Sequence, residues 1–408
     1  MFELSGFQAF NLGIVTLFLG KWLNSKWSPL REYNIPEPVT GGLIMSILLA
    51  IIYFAGGVEI GMNLAPRDAL ILYFFTAIGL NARLSLLLSG GKPLVILLAL
   101  TIGYMFVQNL TGLAAATATG QPAAVGVLGG TASFIGGHGT AIAWAPRIAE
   151  EHGIPNALEI GVACATIGLI LASLMGGPIA KLLINRYSLK ADAPDDQPVI
   201  GETYDHQPTT QIGYLDVLRA LLVLHIAIGF GVATSEGLEE AGLLLPQFVP
   251  CLIWGIILTN TVPILFKRMK WPAGEPALAL ISDLALGVFL SMTLMNLQVW
   301  TLAALAGPIL VIVVAQFAIA VAFTLFLVFP LMGRNYEAAV ICSGFGGISL
   351  GATPTAIANM TAVVQRFGAA KRAFIVVPLV CAFFIDLANA FIIPLFLSLG
   401  NAGAGGAG

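Results

Sequence analysis

Two glycine-rich segments hold the groups most able to do chemistry. The first reads Gly129-Gly130-Thr131-Ala132-Ser133-Phe134-Ile135-Gly136-Gly137-His138-Gly139-Thr140. The second reads Gly344-Phe345-Gly346-Gly347-Ile348-Ser349-Leu350-Gly351-Ala352-Thr353-Pro354-Thr355, with Asn359 one turn beyond. Clustered glycine and a mid-segment proline break a helix and free backbone N–H and C=O groups. Freed N–H dipoles suit carboxylates, and freed carbonyls suit a hard cation such as sodium. Thr140 and Thr355 stand where a helix should restart, a good capping position. The plainer reading is that these glycines only let helices pack closely, as small residues do in membranes. His138 could relay a proton or sit neutral and bond backbone. A zinc site is disfavoured, because no second ligand lies in reach along the sequence.

Isolated polar residues in apolar runs form a second group of candidates. Asp386 stands mid-run in Phe383-Phe384-Ile385-Asp386-Leu387-Ala388-Asn389. Asp283 and Asn296 bracket one apolar run, as Asp68 and Asn81 bracket another, and Gln108 and Asn109 lie inside a third. Charge within a bilayer is costly, so such residues tend to serve ions or substrates. Hydrogen bonding between helices is the alternative for each.

What positions these groups must be a membrane protein. Of 408 residues, 58% are hydrophobic and only 10% are charged. Soluble proteins carry about 25% charged residues to face water, so lipid must be the solvent here. A net charge of −3 without a basic stripe excludes nucleic acid as partner. Cys164, Cys251, Cys342 and Cys381 are widely spaced in apolar runs and read as structural. No nucleophile–base pairing, repeated ligand set or cofactor motif suggests an enzyme. The first apolar run lacks a basic leader and a cleavage site, so it is expected to remain as a span.

A helix needs about 20 apolar residues to cross a bilayer. Spans are expected near 4–22, 38–58, 68–88, 93–118, 157–181, 212–235, 246–266, 277–299, 301–330 and 373–399. The two glycine-rich segments, about 122–147 and 338–365, are expected as re-entrant hairpins. With the N-terminus outside, every Lys and Arg except Arg67 and Arg147 then falls on the cytoplasmic side, as the positive-inside rule requires. Both termini lie outside and the polar linker 186–211 lies in the cytoplasm.

Shifting the chain by 215 residues aligns it with itself. Ala124-Val125 meets Ala339-Val340, Gly136 meets Gly351, and Thr140-Ala141-Ile142-Ala143 meets Thr355-Ala356-Ile357-Ala358. The same shift pairs Asp68 with Asp283 and Asn81 with Asn296. The expected fold is therefore an all-α polytopic membrane protein of two repeats, 1–185 and 212–399, followed by a flexible tail 400–408. Each repeat has five transmembrane helices and one glycine-rich re-entrant hairpin. Five is odd, so the copies face opposite ways, an arrangement common in secondary transporters. Channels can share it, and linear rather than saturable flux would distinguish them.

Several motifs are specific enough to compare with a family. Gly136-Gly137-His138-Gly139-Thr140, Ala163-Cys164-Ala165-Thr166-Ile167-Gly168-Leu169 and Gly351-Ala352-Thr353-Pro354-Thr355-Ala356-Ile357-Ala358-Asn359-Met360 resemble the bacterial sodium/glutamate symporter family. Ile35-Pro36-Glu37-Pro38-Val39, Ile78-Gly79-Leu80-Asn81 and Phe383-Phe384-Ile385-Asp386 are similar to it as well. The resemblance implies sodium-driven L-glutamate uptake across the bacterial inner membrane by a homodimer. It also implies an elevator-like mobile core, built from the two hairpins, that moves against a scaffold. No cofactor is implied beyond the coupling sodium ion. On that basis Ser133, Gly136, Gly137, His138, Gly139, Thr140, Thr353, Pro354, Thr355 and Asn359 are expected around the substrate. Asn81, Asp283 and Asp386 are expected to offer oxygens to sodium. A different small carboxylate or amino acid, driven by sodium or protons, is the alternative cargo.

Overall fold

The structure is a computed structural model describing residues 2–32, 35–57, 60–191, 212–240, 245–266, 269–297 and 305–404. In chain order the elements are β1 (Phe2–Leu4), α1 (Gly6–Lys26), α2 (Ser28–Glu32), α3 (Glu37–Gly56), β2 (Ile60–Met62) and α4 (Ala65–Asn81). Then come α5 (Ser85–Ala118), α6 (Ala123–Val127), a π-helical turn at Leu128–Ala132, α7 (Gly137–His152) and α8 (Ala157–Tyr187). The second half contains α9 (Tyr214–Glu240), α10 (Phe248–Leu265), α11 (Pro276–Leu294), α12 (Ala306–Phe323), a π turn at Thr324–Val328 and α13 (Phe329–Leu331). It ends with α14 (Tyr336–Leu350), α15 (Thr353–Phe367), α16 (Ala373–Leu379), a π turn at Val380–Phe384 and α17 (Ile385–Ala404). The strands form one parallel pair, Phe2 beside Ile60.

Each expected span falls on a helix. Seven among the described residues are long and apolar enough to cross a membrane: 37–56, 91–118, 157–187, 214–240, 248–265, 276–294 and 306–331. The other three differ for physical reasons. The 21 residues of α1 include Lys21, Asn24 and Lys26, which dilute its apolar character. The 17 residues of α4 rise only about 25 Å, short of the hydrocarbon core of about 30 Å. Residues 373–404 are interrupted by the π turn between α16 and α17. Most of the polar linker and the end of the tail lie outside the described residues, while α17 itself extends to Ala404.

The helices gather into two compact units, and neither coincides with one half of the chain. The first comprises residues 1–31, 35–84 and 209–303. In it α4 packs between α10 and α11, over a core of Ala77, Leu80, Ala220, Leu224 and Leu278. The loop after α4 is tied down by side chains: Asn260 Nδ2 donates to the Ala82 carbonyl at 2.8 Å, and its Oδ1 accepts from Leu84 N–H at 2.9 Å. The second unit comprises residues 32–34, 85–208 and 304–408. There α8 is the central helix, packed by α7, α14 and α15. In α5 the backbone leaves the helical region at Gly91, φ 59°, two residues before Pro93.

Large apolar side chains point outward at helical spacing. On α3 these are Ile44, Ile47, Leu48, Ile51 and Phe54, and on α9 they are Leu215, Leu218, Leu222 and Ile226. Water would penalise such stripes, whereas lipid tails solvate them. Ile226→Asp, near the middle of α9, tests this. The charge would oppose insertion by about 2.5–3.5 kcal/mol, so the membrane-integrated fraction, read with a topology reporter, is expected to fall. A water-facing position would show no such loss.

Candidate functional site

Both glycine-rich segments are interrupted helices within the second unit. In the first, α6 and its π turn end at Ala132, and α7 restarts at Gly137. The backbone within that turn leaves helical geometry at Gly129 and Gly130. In the second, α14 ends at Leu350 and α15 restarts at Thr353, with Pro354 in its first turn. Pro354 suits that place because its missing N–H has no helical acceptor there. α15 folds back along α14, since Gly347 backs onto Ala356 and Gly344 onto Met360.

The two interruptions meet. Gly137 has φ 69°, a left-handed conformation that favours glycine. A side chain there would lie 3.7 Å from the Gly351 carbonyl oxygen of the other tip. α8 backs both tips: its Gly161 faces Ser133, its Gly168 receives the Leu350 carbonyl, and its Ala172 packs on Gly351.

Buried amide side chains satisfy the carbonyls that the breaks release. From α5, Gln108 Nε2 donates to the Ser349 carbonyl at 2.7 Å. From α12, Gln316 Nε2 donates to the Gly129 carbonyl at 2.7 Å and to the Gln108 carbonyl at 2.8 Å. Asn109 holds Thr131 on both sides: Oδ1 accepts from its N–H and Nδ2 donates to its hydroxyl, each at 3.0 Å. These amides are fully buried. A glutamine of the first half thus holds the second break, and a glutamine of the second half holds the first.

The expected substrate residues mostly gather here. Ser133 and Thr355 are fully buried, and among the described residues their hydroxyl oxygens have no hydrogen-bond partner. Thr353 is the first residue of α15. Asn359 donates to the Ala172 carbonyl at 2.9 Å, so its amide braces α15 against α8. Gly139 sits within the first turn of α7, and Pro354 is exposed. His138 bonds a side chain rather than backbone: its Nε2 lies 3.0 Å from Thr166 Oγ1. The single hydroxyl hydrogen of Thr166 goes to the Val162 carbonyl at 2.8 Å, so His138 Nε2–H must be the donor.

The expected sodium residues do not form one cluster within a unit. Asp386, on α17, accepts from the Thr140 hydroxyl at 3.3 Å and belongs with the tips. Asn81 and Asp283 belong to the first unit. Asn81 Oδ1 already accepts from Gly274 N–H at 2.8 Å, and Asp283 is exposed on α11. Two contributors escaped sequence reasoning. Gln316 carried a usable signal, as the only polar residue of the 18-residue helix α12. Asn389 is spaced from Asp386 to share its helix face.

Comparison with known proteins agrees with the motifs. The family model described as "Sodium/glutamate symporter" matches residues 2–369. The chain is 39% identical over 400 residues to the sodium/glutamate symporter of Escherichia coli (strain K12), covering 98% of this chain and 99% of the relative. It is 37% identical over 404 residues to that of Haemophilus influenzae (strain ATCC 51907 / DSM 11121 / KW20 / Rd), again covering 98% and 99%. These relatives are named as transporters and not as enzymes.

Gln316→Leu tests the amide bracing. It leaves the Gly129 and Gln108 carbonyls without this donor in an apolar interior, at a cost of about 1–3 kcal/mol. The melting temperature of the purified protein is expected to drop by several degrees. An unchanged melting curve would mean that the broken segment does not depend on Gln316.

Proposed function

Since the chain belongs to the sodium/glutamate symporter family, we propose that it imports L-glutamate by sodium-coupled, alternating-access transport. The observation that carries the proposal is the meeting of two interrupted helices, each with a buried, unpartnered hydroxyl, Ser133 and Thr355. An unmet buried hydroxyl costs about 1–3 kcal/mol. A substrate carboxylate oxygen accepting from it would remove that cost. The N–H groups at the starts of α7 and α15 point the positive ends of two helix dipoles at the same negative charge. Gly136, Gly137, His138, Gly139, Thr140, Thr353, Pro354 and Asn359 complete the proposed surroundings.

Alternating access follows from the proposed inverted repeat. The 215-residue shift lays α1 on α9, α3 on α10, α4 on α11 and α5 on α12–α13. It then lays α6 with its π turn on α14, α7 on α15 and α8 on α16–α17. The units also divide at nearly equivalent points, after Leu84 in the first half and after Ala303 in the second. These correspondences support repeats at 1–185 and 212–399 that face opposite ways, joined by a cytoplasmic linker, with both termini outside. They favour an elevator in which the second unit is the mobile body and the first the stationary one. We place the protein in the bacterial inner membrane as a homodimer, following the family resemblance.

The coupling ion answers an energetic need. Glutamate carries net charge −1, and moving it inward against about 100 mV costs about 2.3 kcal/mol. One sodium cancels that charge, and a second makes uptake electrogenic.

Labelled glutamate uptake into proteoliposomes tests the proposal, with an inward sodium gradient set against an equal potassium gradient. Saturable uptake that requires sodium is expected, and its absence from folded protein would overturn the assignment. Thr355→Val, nearly isosteric, is expected to raise the glutamate KM roughly fivefold or more through loss of one hydroxyl contact worth about 1 kcal/mol. Wild-type kinetics would remove Thr355 from the site.

A further inference from the structure

We propose that a basic rim at the base of the second interrupted segment docks the headgroup of an anionic phospholipid. This goes beyond the transport reading and needs only that the helices cross a membrane. Three separate stretches of chain meet at the rim. Tyr336, the first residue of α14, donates its hydroxyl to the Gly368 carbonyl, just past the end of α15. The next side chain, the Glu337 carboxylate, accepts from Arg372 N–H at 3.2 Å and from Ala373 N–H at 2.9 Å. The stretch after α8 closes the third side, because a β-carbon at Gly368 would lie 2.7 Å from Ala191 Cβ.

These contacts bring five cations to one rim. Lys190 adjoins Ala191, Arg334 and Arg366 stand two residues before Tyr336 and Gly368, and Lys371 adjoins Arg372. All five are exposed. Arg334, Arg366 and Arg372 enter none of the side-chain ion pairs formed among the described residues. The Glu337 carboxylate is turned to backbone N–H groups. The tendency of cations to collect on one side of a membrane explains their side, and not their gathering from three segments.

The surroundings fit a charge carried on an apolar stem. The π turn and α13, which lead into Arg334, expose Phe326, Leu327 and Leu331. Tyr187, near the end of α8, is also exposed, and its ring lies 5.2 Å from that of Phe329 on α13. An apolar collar thus runs up to the cations. Gly333 and Arg334 both have left-handed backbones, φ 109° and 53°. The chain therefore turns sharply after the collar, and a residue type that seldom takes this conformation holds its border. Acyl chains would lie along the collar, while guanidinium groups meet the phosphodiester oxygens in pairs. Free phosphate would use only the charged half.

Native mass spectrometry of the purified full-length protein in neutral detergent tests the site, with phosphatidylglycerol titrated against phosphatidylcholine. Saturable, preferential retention of phosphatidylglycerol is expected. Arg334→Gln, Arg366→Gln and Arg372→Gln are each expected to weaken it about fivefold, and the triple variant roughly a hundredfold. The single variants carry the test if the triple variant does not fold, and lysine at the same positions is expected to restore most of the affinity. A control with Lys21→Gln and Lys26→Gln, both exposed on α1, is expected to retain the lipid as the wild type does. Equal loss in that control, or wild-type retention in the arginine variants, would overturn the site. Displacement of the lipid by inorganic phosphate at equal concentration would overturn the lipid as its occupant. So would a large gain in affinity on neutralising Asp192, Asp195, Asp196 and Glu202, since it would make the chain's own acidic linker the occupant. None of these outcomes is read from glutamate uptake, so the transport reading stands or falls separately.

Discussion

A helix interrupted inside a lipid-solvated protein releases backbone groups that no water is present to satisfy, and the second unit is organised around that constraint. Two such interruptions bring Gly137 of one tip against Gly351 of the other. The structure meets the carbonyl side of the problem with side-chain amides. Gln108 on α5 and Gln316 on α12 supply N–H donors to the Ser349 and Gly129 carbonyls, and Asn109 on α5 holds the N–H and hydroxyl of Thr131. Amides suit this task because they donate without carrying charge, so burying them avoids the penalty of a buried ion.

The bracing also joins the two breaks. Gln316 bonds both the first break and the backbone of Gln108, while the Gln108 side chain bonds the second break. Each tip is therefore held partly through the helix that holds the other. A site split between two independent loops would lose its geometry whenever either moved. Shared bracing couples the positions of the two tips. The buried hydroxyls of Ser133 and Thr355 lie outside this scheme.

Much of the fold was legible because its strongest signals are physical extremes. A run of 20 uncharged residues has few uses other than crossing lipid, and glycine clusters within such runs must break helices. Boundaries were less legible. The 68–88 run ends as a helix at Asn81 because Asn81 and the following loop are tied to Gly274 and Asn260, contacts nearly 200 positions away. The grouping of helices into units was illegible for the same reason. Residues 1–84 associate with 209–303 rather than with their own half, and apolar helices with no distinct face do not disclose their neighbours.

The site was legible in its tips and not in its walls. Glycine, threonine and histidine at the breaks announce themselves by type. The role of Thr166 depends on a 3.0 Å contact with His138 from a neighbouring helix, and a threonine in an apolar helix usually just bonds its own preceding turn, as Thr166 also does with Val162. The sodium candidates show the limit most clearly. Asn81, Asp283 and Asp386 look alike in sequence, each an isolated polar group in an apolar run. Asn81 Oδ1 accepts from Gly274 N–H at 2.8 Å, and Asp283 is exposed on α11. Asp386 meets the Thr140 hydroxyl beside the first tip. What tells such look-alike residues apart is the set of neighbours, and for Asp386 and Asn389 those neighbours come from segments more than 240 residues away in the chain.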